Sequence, residues 1–171
     1  MVDAGRRKSG AAALSVASNS ILILLKLVVG ISIGSVSVVS EAIHSSIDLV
    51  AAIIAFFSVR MSSRPPDKDH PYGHGKIENI SGFVEALLIL VAAALIVYEA
   101  GQKIIFGSEI EFVGLGIAVM VVSTLVNIFV SRYLMRVAHQ TDSVALEADA
   151  YHLQTDVLTS VGVLAGLIVV H

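Results

Sequence analysis

The chain has no cysteine and no tryptophan, three prolines in 171 residues, and only 15% charged side chains. The missing thiols exclude disulfides and thiolate metal sites, so any metal must be held by His, Asp, Glu, Asn or backbone oxygen. The scarcity of charge argues against an ordinary soluble domain, where roughly 25% of residues are charged. A net charge of −3 says little about partners, and no basic patch of the kind that grips nucleic acid is present. Catalytic signatures are also lacking. There is no HExxH and no nucleophile beside a base, so the chain does not read as an enzyme.

What is abundant is apolar residues, 56% of the total. They fall into runs separated by short polar clusters, which reads as an all-α, polytopic transmembrane helix bundle. Five spans are expected, at about 11–30, 36–59, 79–100, 112–133 and 143–170, each near the roughly 20 residues that cross the hydrocarbon core. Residues 60–78 form the one long polar loop, and Arg64-Pro65-Pro66 stops the second helix. Gly107–Glu111 reads as a turn. The first run lacks a small-residue cleavage site and reads as a retained span rather than a signal peptide.

Lys and Arg set the orientation. Nine of the 11 lie in alternate loops: Arg6, Arg7 and Lys8, then Arg60, Arg64, Lys68 and Lys76, then Arg132 and Arg136. Such loops stay cytoplasmic, so the N-terminus and the 60–78 loop are expected inside. Lys103 alone lies in an intervening loop, and Lys26 lies within the first span, expected to snorkel or to face the bundle interior.

Within the second apolar run, SEAIHSSID carries Glu41, His44 and Asp48. Each such group at membrane depth costs at least about 2.5 kcal/mol unless something compensates it. His44 and Asp48 are i and i+4, and so share a helix face. His152 and Asp156 repeat that spacing in the fifth run. With 1.5 Å of rise per residue, His44 and Asp48 lie roughly 12 and 18 Å below the outer face; His152 and Asp156 lie roughly 14 and 20 Å above the inner one. In a core about 30 Å thick all four meet near the midplane. Four N and O donors suit a tetrahedral zinc site better than magnesium or calcium, which take oxygen shells.

A second cluster lies in DKDHPYGHGK, where Asp67, Asp69, His70 and His74 surround Pro71 and Gly73 in a turn that can fold the rings together. Asp149, three residues before His152, could orient the imidazole or serve as a helix-entry charge. Glu41 and Glu85 could carry protons or make interhelical hydrogen bonds. Gly162 and Gly166 give a GxxxG spacing that suits close helix packing.

GSVSVVSEAIHSSIDL, HPYGHGKIE and ALEADAYHLQTD, in this order, resemble the cation diffusion facilitator family of divalent-metal/proton antiporters. The resemblance runs from the first span to the fifth. It implies a transport site at His44, Asp48, His152 and Asp156, with a loop site of some bacterial members at Asp67, His70 and His74. The His-Asp/His-Asp pattern resembles that of zinc members, with Zn2+ as substrate, Cd2+, Fe2+ or Co2+ as alternatives, and no prosthetic group. Alternating access about the midplane site, with protons moving inward, is the mechanism it implies. The expected setting is a prokaryotic cytoplasmic membrane, with the lipid bilayer around the helices. The family's usual sixth span and dimerising cytoplasmic domain do not follow the fifth span, so the sequence reads as truncated. Full-length members are expected as homodimers, and the alternative is a non-transporting fragment, or a metal-binding or assembly partner.

Overall fold

The structure is a computed structural model that describes residues 2–106 and 114–170, without the side chains of residues 2, 36, 37, 99, 100, 103, 104, 106 and 162–170. Five helices follow one another: α1 (Val2–Ile33), α2 (Val36–Ser62), α3 (Lys76–Phe106), α4 (Gly114–Thr141) and α5 (Val144–Val170). No strand occurs among the described residues. The chain is an all-α helix bundle. Four stretches, Asp3–Ile33, Val38–Ser62, Lys76–Tyr98 and Gly114–Thr141, are long and apolar enough to cross a membrane. The part of α5 whose side chains are described carries Glu147, Asp149 and Asp156. The Gly107–Glu111 turn lies outside the described residues, as do the side chains of Glu99 and Lys103 and the surroundings of Gly162 and Gly166.

The helices run past the expected spans at several ends. α1 begins at Val2 and takes the basic leader into the helix. The reason is tertiary: Arg7 donates to Gln140 at the end of α4, and Lys8 Nζ lies 3.0 Å from Glu78 Oε1 in the first turn of α3. α3 begins at Lys76 because Ile77 and Glu78 donate backbone N–H groups to His74 and Gly75, closing its first turn.

The turn between α1 and α2 depends on two glycines. Gly34 has φ +68, the left-handed conformation in which a helix commonly ends, and Ser35 then caps α2 by accepting from the Val38 N–H. At Gly30 a Cβ would stand 2.9 Å from Val39 Cγ2, so the missing side chain lets α1 and α2 approach closely. Their interface is the most extensive in the bundle; α1 also packs on α4, and α5 on α4, α3 and α2. The apolar core includes Ala11, Val59, Leu134, Leu146, Ala150 and Leu153, contributed by α1, α2, α4 and α5. Large side chains such as Ile21, Leu24, Phe83, Leu90 and Phe129 are exposed, a pattern that suits lipid rather than water. α5 thus packs against α4, α3 and α2, and brings His152 and Asp156 to α2.

Candidate metal centre

Regular helix carries His44 and Asp48 one turn apart on α2, and His152 and Asp156 one turn apart on α5. Where the helices meet, His152 Nε2 lies 3.0 Å from Asp48 Oδ1, with both residues buried. His44, Asp48 and Asp156 each turn a donor atom inward, and these atoms lie within 4.8 Å of one another. The arrangement is therefore three mutually close donors, with the fourth residue, His152, hydrogen-bonded to one of them. His152 Nδ1 and Asp156 Oδ2 are buried without a protein partner. Buried polar atoms are normally satisfied, so this pocket retains capacity to bind.

The three flanking carboxylates occupy different surroundings. Glu41 is ion-paired with Lys26 Nζ at 3.2 Å. Glu85 is fully buried on α3 and accepts from Ser81 Oγ at 3.2 Å, while its other oxygen has no partner. Asp149 is fully buried beside Ser15, within electrostatic reach of Glu85 and His152. A line of ionisable groups thus leads from Glu85 through Asp149 to His152 and Asp48.

The loop cluster is formed by one carboxylate. Asp67 Oδ1 accepts from the backbone N–H groups of Asp69 and His70, at 3.0 and 2.7 Å, and faces His70 Nδ1 at 3.2 Å. Asp67 Oδ2 faces His74 Nε2 at 3.3 Å. Gly73, at φ +84, turns the chain so that the two rings lie tilted by 39° with centroids 4.5 Å apart. Asp67, His70 and His74 together present donor atoms within 4.8 Å of one another; Asp69 contributes its backbone and lies outside the set. The His70 backbone N–H, followed by the hydrogen bond to the His70 ring, holds the Asp67 carboxyl below its ordinary value of 3.8.

Spacing did not supply the partners of Lys26, one of whose two expected placements is the bundle interior, or those of Glu78. Lys26 is buried inside the bundle, donating to Ser45 Oγ at 2.7 Å as well as pairing with Glu41, which rules out the snorkelling alternative. Glu78 joins four elements at the end of the bundle near the 60–78 loop: Lys8 on α1, Ser62 on α2, its own α3, and Ser143 at the start of α5. The only sequence signal for either was a charge inside or at the mouth of an apolar run.

Comparison with known proteins gives the family. Residues 12–171 match the cation efflux transmembrane domain. The uncharacterized transporter MJ0449 of Methanocaldococcus jannaschii is 37% identical over 155 residues, covering 91% of this chain and 55% of that protein. The cation-efflux pump FieF of Shewanella oneidensis is 32% identical over 154 residues, 90% of this chain and 52% of the relative. The magnetosome protein MamB of a Magnetospira strain is 33% identical over 141 residues, 82% and 48% respectively. The chain spans about half the length of the curated relatives it matches. MJ0449 and FieF are a transporter and a pump by name rather than enzymes, and a match to the family's membrane domain over nearly all of a bundle with apolar helices makes the chain an integral membrane protein of the cation efflux family.

Proposed function

We propose that this chain forms the transport path of a divalent-cation efflux protein, with Zn2+ as substrate, exchanged for protons by alternating access. The observation that carries the reading is the buried contact of His152 with Asp48, beside the inward-turned donors of His44 and Asp156. Intramembrane ionisable groups of this kind mark ion paths, and a mixed N/O donor set suits zinc and its borderline neighbours. The His152–Asp48 hydrogen bond holds one proton between its two heavy atoms. An ion coordinated by both must take that proton's place, so loading the site releases it. Protons arriving from the opposite side would restore the bond once the cation has left, imidazole being the side chain that changes charge between pH 5 and 8.

The Asp67, His70 and His74 cluster would meet the ion on the cytoplasmic side before it enters. The family name and the pump named FieF support cation efflux. Homodimer formation, the N-terminus in the cytoplasm and a prokaryotic cytoplasmic membrane belong to the same proposal.

The test is zinc uptake by inverted vesicles carrying the protein, with a pH dye inside. Asp48→Ala and Asp156→Ala should each abolish zinc-dependent proton movement. They should also weaken zinc binding by more than the roughly 10- to 100-fold that follows loss of an outer hydrogen-bond partner. Uptake that survives either substitution would overturn the site. Zinc binding without uptake in the parent protein would favour the non-transporting alternative.

A further inference from the structure

Lys26 is the one positive side chain among the described residues that lies buried near the four-residue pocket. Its ammonium donates to Ser45 Oγ at 2.7 Å and pairs with Glu41 Oε1 at 3.2 Å. Ser45 directly follows His44, and Glu41 and Asp48 lie about one turn to either side of it on α2. Lys26 is also within electrostatic reach of Asp156 on α5. A helix of α1 that contributes no donor to the pocket therefore delivers a fixed positive charge to its edge.

The two members of the pair are buried unequally. The Lys26 side chain is 7% exposed, whereas that of Glu41 is 37% exposed. Both members act on Asp156, the ammonium more strongly than the carboxylate. The Lys26–Glu41 pair, neutral in sum, is consequently not neutral as seen from the pocket. A divalent ion between Asp48 and Asp156 meets the repulsion of the ammonium with only partial relief from the carboxylate.

We propose that Lys26 is a resident counter-cation that lowers the affinity of the pocket for its divalent ion, so that the ion can leave. In the empty pocket the same charge eases the repulsion between Asp48 and Asp156, and when the ion is bound it competes for them. A carrier must bind its substrate and also release it, and four good ligands without such opposition would hold zinc tightly. Ser45 keeps the ammonium at the pocket edge and Glu41 sets how much of its field reaches the ion. Lys26 acts through its charge and is not itself a ligand. The inference rests on the metal-site reading above.

The experiment is titration calorimetry of zinc into the purified chain in lipid nanodiscs. Lys26→Met should tighten zinc binding by roughly tenfold, the scale expected when a charge already partly neutralised by its partner is removed from near a divalent ion. Glu41→Gln should shift it the other way, because it frees the ammonium from its partial neutraliser. Lys26→Arg, which keeps the charge, should bind as the parent does. Because Lys26→Met leaves Glu41 unpaired in a membrane protein, the double substitution Lys26→Met with Glu41→Gln is measured beside it and should also bind more tightly than the parent. A merely structural ion pair would weaken binding in both single variants alike, and that result, or an unchanged affinity in Lys26→Met, overturns the inference. Failure of the parent chain to bind zinc would overturn the metal-site reading instead, and the two failures are distinguished by that control.

Discussion

At the scale of single residues, a spacing of four between a histidine and an aspartate was enough to place His44 with Asp48, and His152 with Asp156, on common helix faces. Helical periodicity is a local property, and local properties can be read along one chain. What the spacing could not supply was the hydrogen bond between His152 and Asp48, because it depends on how far α5 has rotated toward α2. The loop cluster was legible for another reason: Asp67, His70 and His74 lie within eight residues, and Gly73 supplies the positive φ that closes them. The ionised Asp67 is the form the loop prefers, so its contribution is present above the ordinary carboxyl pKa of 3.8 and is lost only as pH falls through a lower value. A carbon-13 NMR titration of the Asp67 carboxyl should accordingly show a midpoint below 3.8. A midpoint at or above that value would mean the His70 N–H does not hold the carboxylate in solution.

At the scale of elements, helix existence was legible from apolar runs, while helix ends were not, since tertiary partners set them. α1 extends to Val2 because Arg7 and Lys8 reach side chains on α4 and α3. Glu78 is the clearest case. Its three side-chain partners lie 70, 16 and 65 residues away, distances at which no periodic pattern operates. Replacing it with Ala should leave Lys8 and the buried Ser143 hydroxyl without their acceptor, while the Ser62 hydroxyl keeps the Val59 carbonyl. The expected destabilisation is about 2–4 kcal/mol, on the scale of losing a part-buried charged hydrogen-bond centre. Thermal unfolding in detergent would measure it, and an unchanged midpoint would mean that water replaces the carboxylate there. Gly30 tests the opposite end of the α1–α2 pair: Gly30→Leu must push Val39 aside, and overpacking of this kind costs typically 1–3 kcal/mol.

At the scale of the whole molecule, what decides function is which end of the bundle faces which compartment, and that information is carried by Lys and Arg outside the helices' apolar parts. The 60–78 loop holds four of the 11 positive residues, and the α1–α2 turn holds none. Positive charge is retained on the cytoplasmic side, so the two regions should lie on opposite faces of the membrane, with the loop cluster inside. The absence of cysteine makes this directly measurable, because a single introduced thiol is the only one in the chain. Tyr72 is fully exposed at the tip of the loop cluster, and Ser32 is exposed near the end of α1 that leads into the α1–α2 turn. A membrane-impermeant maleimide should label Tyr72→Cys in inverted vesicles only, and Ser32→Cys in right-side-out vesicles only. Labelling of both from one side would remove the sidedness on which outward transport depends. The reverse pattern would make the Asp67, His70 and His74 cluster an exit rather than an entrance, and would turn the proposed direction of zinc movement around.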